Sequence, residues 1–206
     1  MLEHADEFRE LEMHGKAFTD VVLLGMGGSS LCPDVMRNTF GLIKGHPKLP
    51  VLDTTDPATI LGVRAKITLN KTLFVVASKS GETTETLSHF AYFWGEVTKG
   101  ATSSKNSKAG RQFAAITDPG TSLEKLATEH GFRWIFPVAP DIGGRHSSPS
   151  YFGQEPAARI AMTVGRTLER AVSVANSCAH PGPAKAEPKD TRAAGTRTLG
   201  VARTDA

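Results

Sequence analysis

The sequence predicts an α/β fold, a three-layer α/β/α sandwich around a five-stranded parallel sheet. Three observations lead there. Short continuous apolar runs recur along the chain, as strands buried on both faces require. Each run ends in a cluster of Gly, Ser, Thr, Asp or Pro. Helical periodicity then follows, and strands alternating with helices imply parallel pairing with helices on both faces.

The elements follow in order. Asp20 to Leu24 is the first strand, closed by glycine. Leu31 to Phe40 is predicted helical, with Ser29 or Ser30 near its N-cap and Gly41 past its end. Leu49 to Leu52 is the second strand. A helix starts after it, with Asp56 as N-cap and Pro57 at the first helical position. Leu73 to Ala77 is the third strand. The helix Glu82 to Val97 follows, with Leu87, Phe90, Ala91, Trp94 and Val97 on one side. Lys99 to Arg111 is basic but rich in small polar residues, and reads as a solvated loop. Phe113 to Thr117 is the fourth strand, Leu123 to Glu129 a short helix, and Phe132 to Phe136 the fifth strand. Gly153 to Asn176 reads as a helix made unusually polar by Gln154, Glu155, Arg159 and Arg166.

The domain limits drawn from this pattern are a helical lead-in over 1–19, the α/β domain over 20–176, and a tail over 177–206. The tail is dominated by Ala, Pro, Gly, Thr, Lys and Arg. It has too few large apolar residues to offset its ordering entropy, so disorder or a remnant of a second domain is expected.

Bulk properties exclude several classes. A formal charge of +3 over 206 residues gives no footprint for nucleic acid or an anionic membrane. No apolar run approaches the roughly 18 residues that span a bilayer. The acidic start MLEHADEFRE lacks the pattern of a secretory leader. Cys32 and Cys178 stand far apart, the usage of a reducing compartment, so a cytoplasmic setting is expected. No His, Cys, Asp or Glu cluster has metal spacing, and no nucleophile elbow occurs.

Two loops carry the chemistry. SKSGETTET, residues 78–86, gathers Ser78, Ser80, Thr83, Thr84 and Thr86 around one glycine after the third strand. GMGGSS, residues 25–30, follows the first strand and includes Gly28 and Ser29. Hydroxyls and backbone N–H groups at a strand-to-helix turn suit a phosphate, and in parallel sheets ligands sit beyond the carboxyl ends of strands. GMGGSS alone is equally compatible with a dinucleotide fingerprint. Gly25 and Gly27 fit its first two glycines and Asp53 its ribose acid, while Ser30 replaces the third glycine. The second cluster decides for a phosphomonoester, whose several oxygens need many donors. The competing account of SKSGETTET is a capping box with Glu82 or Glu85, which holds in part but uses one hydroxyl of five. Lys79 could add charge or point to solvent. A third element, Asp141 to Ser147, sets Arg145 behind two glycines, where a guanidinium could stabilise charge developing on oxygen or pair with Asp141.

GMGGSSLCP, ASKSGETTET, AITDPGTSLEKLA and IGGRHS, in this order, resemble glucose-6-phosphate isomerase, and most of all the bacterial form found alone or fused behind a transaldolase. The resemblance covers about residues 20–175 and implies a sugar-isomerase (SIS) domain. It implies aldose–ketose isomerisation of glucose 6-phosphate and fructose 6-phosphate through an enediol, with no cofactor. Gly28, Ser29, Ser78, Ser80 and Thr83 match the family's phosphate-binding positions. Arg145 matches its enediolate-stabilising arginine, and Glu85 a glutamate of the same loop. A homodimer of the full-length enzyme is a further implication. The chain departs from the pattern at His146, usually tyrosine, and at Gln154, Glu155 and Arg159, usually apolar. The family's base glutamate, ring-opening histidine and late lysine belong to a second SIS domain, downstream of these blocks. The chain is therefore expected to be a first SIS domain that lacks the base and is inactive alone. The runner-up is a non-catalytic module that binds sugar phosphates; a nucleotide-dependent oxidoreductase is the distant third.

Overall fold

A computed structural model describes residues 18–99, 109–143, 146–160 and 164–179. The expected lead-in helix, most of the basic loop, Arg145 and nearly all of the expected tail lie outside these residues. Five strands form one parallel sheet in the order β2-β1-β3-β4-β5. They are β1 (Asp20–Gly25), β2 (Val51–Leu52), β3 (Thr72–Ala77), β4 (Phe113–Thr117) and β5 (Trp134–Pro137). Six α-helices accompany them among the described residues: α1 (Leu31–Phe40), α2 (Pro57–Lys66), α3 (Thr84–Thr98), α4 (Ser122–Glu129), α5 (Tyr151–Arg159) and α6 (Val164–Ala179).

The apolar runs form central strands because side chains alternate between two cores. Val21, Leu23, Leu73, Val75, Ala114 and Ile116 enter one core, with Met36 of α1 and Phe152, Ala157 and Ala158 of α5. Val22, Leu24, Phe74, Val76, Phe113 and Ala115 enter the other, with Phe90 and Phe93 of α3 and Leu123 and Ala127 of α4. The second core is aromatic: Phe74 stacks on Phe93 at 4.6 Å and on Phe113 at 5.1 Å. The three layers expected from sequence are present. No described helix is long and apolar enough to cross a membrane.

The central register is continuous, from Asp20 opposite Thr72 to Gly25 opposite Ala77. The ends of β1 and β3 therefore lie side by side. From β1 the chain turns into α1 on one face; from β3 it turns into α3 on the other. This divergence is the topological switch point, where parallel sheets open a crevice for ligands.

Several sequence expectations change. The second strand shrinks to Val51–Leu52, next to Pro50, with one further bridge between Asp20 and Lys48. The fifth begins at Trp134, because the Phe132 amide is spent on the Ala127 carbonyl at the end of α4. The buried face of α3 is Thr86, His89, Phe90 and Phe93; Ala91 is exposed. The helix expected over 153–176 is two helices, α5 and α6. Gln154, Glu155 and Arg159 do not face water: they are at most 1% exposed. The Arg159 Nε donates to Glu155 Oε1 at 2.8 Å, and the guanidinium lies 4.5 Å from the centroid of Trp134. An opposite charge and an aromatic face thus stand in for the water that Arg159 lost.

Gly110 shows how tightly β4 is seated. A Cβ there would lie 2.2 Å from the Gly131 carbonyl oxygen and 2.3 Å from that of His130. Both obstacles are backbone, so they cannot rotate away. Gly110→Ala is expected to cost about 1–3 kcal/mol or more, read as a lower urea midpoint at unchanged m-value. An unaltered midpoint would refute the close approach.

Candidate phosphate-binding site

The loop after β3 is shaped by Gly81. Its φ is +72°, a left-handed conformation that favours glycine. A Cβ there would also meet Thr121 Cβ at 2.7 Å and the Leu123 nitrogen at 2.9 Å. The Ser122 hydroxyl donates to the Gly81 carbonyl at 2.7 Å. The glycine lets this loop nest against the start of α4.

Ser78 continues the β3 ladder, its N–H donating to the Ile116 carbonyl at 3.0 Å, and it is 1% exposed. Its hydroxyl receives the Gly81 N–H at 3.1 Å and shares a hydrogen bond with the Thr83 hydroxyl at 2.9 Å. Ser80 is exposed, and its hydroxyl accepts the Glu82 N–H at 3.2 Å. Ser78 and Thr83 are thus joined, while Ser80 closes a local turn. Glu85 stands in the first turn of α3.

The capping-box account fails here. Thr83 is the N-cap of α3, yet its side chain makes no capping hydrogen bond. Its hydroxyl is turned to Ser78 instead. Ser30 is the N-cap of α1, and it also makes none; its hydroxyl donates to the Gly27 carbonyl at 3.1 Å. By contrast Asp56 caps α2, Thr121 caps α4 and Ser150 caps α5 with their own side chains. Among α1 to α5, whose N-caps are described, the two left without a side-chain cap are those following the two hydroxyl-rich loops. Their first-turn N–H groups and positive dipole ends are available to an anion.

The loop after β1 forms a 3-10 turn, Gly27–Ser29, with Gly27 at φ +55°. Ser29 is buried. The Gly28 carbonyl accepts the Ser147 hydroxyl at 2.7 Å. Burial pushes the Cys32 thiol up, against a weaker opposing hydrogen bond to Ser148, so this cysteine is a poor nucleophile.

Lys79 does not point to solvent. Its ammonium lies 2.5 Å from Asp118 Oδ2 and 2.7 Å from the Pro140 carbonyl oxygen. In the sequence Asp118 reads only as punctuation after the fourth strand. Opposite charge on the next strand's loop was the available signal, but contact between loops is a property of the register. Arg145 lies outside the described residues. Among the described residues no group of acidic, histidine or cysteine side chains could hold a metal ion.

The model of the phosphoglucose isomerase family matches residues 4–175. The chain belongs to the phosphoglucose isomerase family. A probable glucose-6-phosphate isomerase from Methanococcus maripaludis is 28% identical over 180 residues, covering 85% of this chain and 40% of that protein. A glucose-6-phosphate isomerase from Thermosynechococcus vestitus is 36% identical over 152 residues, covering 70% of this chain and 27% of its own. Among solved structures, a hypothetical protein from Thermus thermophilus superposes with a TM-score of 0.76 at 28% identity, over 87% of this chain and 43% of that one. A glucose-6-phosphate isomerase from Chlamydia trachomatis shares the fold with a TM-score of 0.66 at 24% identity, over 82% of this chain and 31% of that one. The chain therefore spans less than half the length of each of these proteins.

Proposed function

We propose that this chain is the sugar-phosphate-binding part of an enzyme that interconverts glucose 6-phosphate and fructose 6-phosphate. The observation that carries the reading is the pair of helices without side-chain caps, α1 and α3, diverging from the switch point between β1 and β3. Gly28 and Ser29 on one loop, and Ser78, Ser80 and Thr83 on the other, would hold the phosphate. Ser78 and Thr83 share one hydrogen bond that uses the proton of only one hydroxyl, so the other O–H can donate to a phosphate oxygen. The relatives from Methanococcus maripaludis and Thermosynechococcus vestitus are called glucose-6-phosphate isomerases, which favours turnover over binding alone. The proposal extends to the family's homodimer and to a cytoplasmic setting for the full-length enzyme.

Isomerisation moves a proton between adjacent carbons, which requires a base, and stabilises an enediolate, which requires a positive charge beside oxygen. Arg145 would supply the charge. By family resemblance the base belongs to sequence beyond these blocks, so the proposed role of this chain is to seat and orient the substrate. Glu85 is a further candidate contact, since it lies in the first turn of the helix that receives the phosphate.

Calorimetry with glucose 6-phosphate and glucose tests the reading. The phosphorylated sugar is expected to bind at least about 100-fold more tightly, the yield of two charge-assisted hydrogen bonds of about 1.5 kcal/mol each. Equal affinities would overturn it.

A further inference from the structure

We propose that Lys79 and Ser147 are positioning residues that tie the two described ends of the segment after β5, at Pro140–Gly143 and at Ser147, to the two phosphate loops; the functional consequence rests on the phosphate reading above. Lys79, in the loop after β3, touches the loops after β4 and β5. Its carbonyl accepts the Asp118 N–H at 3.2 Å and the Thr117 hydroxyl at 3.4 Å. Its ammonium joins Asp118 to the Pro140 carbonyl. Its stem runs along Gly143, where a Cβ would lie 3.0 Å from Cδ and 3.1 Å from Cε. The second attachment is Ser147, whose hydroxyl donates to the Gly28 carbonyl. Pro140 and Gly143 are therefore held against the loop after β3, and Ser147 against the loop after β1. Gly143 gives room for the lysine, and Arg145 stands between the two attachments in sequence.

This division of labour assigns Lys79 away from the phosphate. Its charge is balanced by Asp118, and a second acceptor, Pro140, uses another of its three protons. The phosphate would then rest on neutral hydroxyls and helix N–H groups, and the lysine would set where Pro140 and Gly143 of the segment after β5 sit. Phosphate recognition and sugar recognition are thereby separable by mutation.

The test uses the 206-residue chain, with Lys79→Met, Lys79→Arg and Ser147→Ala. Amide hydrogen exchange reads the segment directly, through the Ile142 N–H bound to Ala139 and the His146 N–H bound to Gly143. Exchange there is expected to quicken about tenfold in Lys79→Met and Ser147→Ala, and to stay near the unmutated rate in Lys79→Arg. Calorimetry separates the roles. Inorganic phosphate affinity should hold within about twofold in Lys79→Met, while glucose 6-phosphate affinity falls about tenfold, as the loss of one well-placed hydrogen bond would give. Unchanged exchange in Lys79→Met overturns the proposal. So does an equal loss of both ligands, which would make Lys79 a direct phosphate contact. If the unmutated chain binds neither ligand, the phosphate reading fails, and exchange alone decides whether the segment is tied as described.

Discussion

Replacing Arg159 by methionine alone is expected to cost about 3–5 kcal/mol, because it strands a buried carboxylate. Glu155 and Arg159 are both fully buried. Nε donates to Oε1, and Nη2 lies 2.8 Å from the same oxygen without the alignment of a hydrogen bond. Glu155 Oε2 and Arg159 Nη1 have no hydrogen-bond partner among the described residues. The pair is therefore incompletely satisfied, and desolvation of both ions offsets much of their attraction. Glu155→Leu combined with Arg159→Met should then be neutral or more stable than the parent by about 1–4 kcal/mol. The arginine also covers Trp134, a contact that methionine can largely replace by packing. Urea unfolding of the parent, the single variant and the double variant gives the comparison. A double variant as unstable as the single one would mean that the ion pair itself stabilises the fold.

Removing the hydroxyls of Ser78, Ser80 and Thr83 together should abolish the preference for a phosphorylated sugar. Each charge-assisted hydrogen bond lost is worth about 1.5–3 kcal/mol, so even two give a loss of at least about 100-fold. The fold should survive. Thr83 makes no capping bond to lose, and Gly81, which shapes the loop, is retained. The stability cost should stay near 1–2 kcal/mol, roughly, chiefly from the Ser78 hydroxyl that receives the Gly81 N–H. Calorimetry on a variant with a native circular dichroism spectrum decides. Persisting discrimination would leave the hydroxyls with a purely structural role.

The sheet was legible because its strands are buried on both faces and read as unbroken apolar runs. What such runs do not mark is which residues form ladder bonds, and the second and fifth strands moved for that reason. The core-facing side of α3 was caught only in part: Leu87, Phe90, Trp94 and Val97 pack against the core, but Ala91 is exposed and the face is wider. Aromatic residues at 90, 92, 93 and 94 fit more than one face, and the true face includes Thr86 and His89. The His89 ring closes on the Thr54 carbonyl at 2.8 Å, a partner 35 residues away. Gln154, Glu155 and Arg159 made the helix read as unusually polar, but polarity along a sequence does not say which way it faces; here an i,i+4 pair neutralises itself inside. At the site, the residue types marked out the two loops that the register brings to neighbouring strand ends. Their partners were not legible. Whether Thr83 caps its helix or turns to Ser78, and whether Lys79 reaches Asp118, depends on loops that only the register brings together.

The shortness of β2 has a consequence for how this molecule meets others. Exposed sheet margins invite foreign strands to add on, and long flat ones seed fibrous assemblies. Here the margin beyond β1 offers only Val51 and Leu52, with Pro50 directly before them and Pro47 just upstream. Proline has no N–H to offer an incoming chain. The expected outcome is a margin that does not template growth, although its strand residues are as apolar as the interior they border.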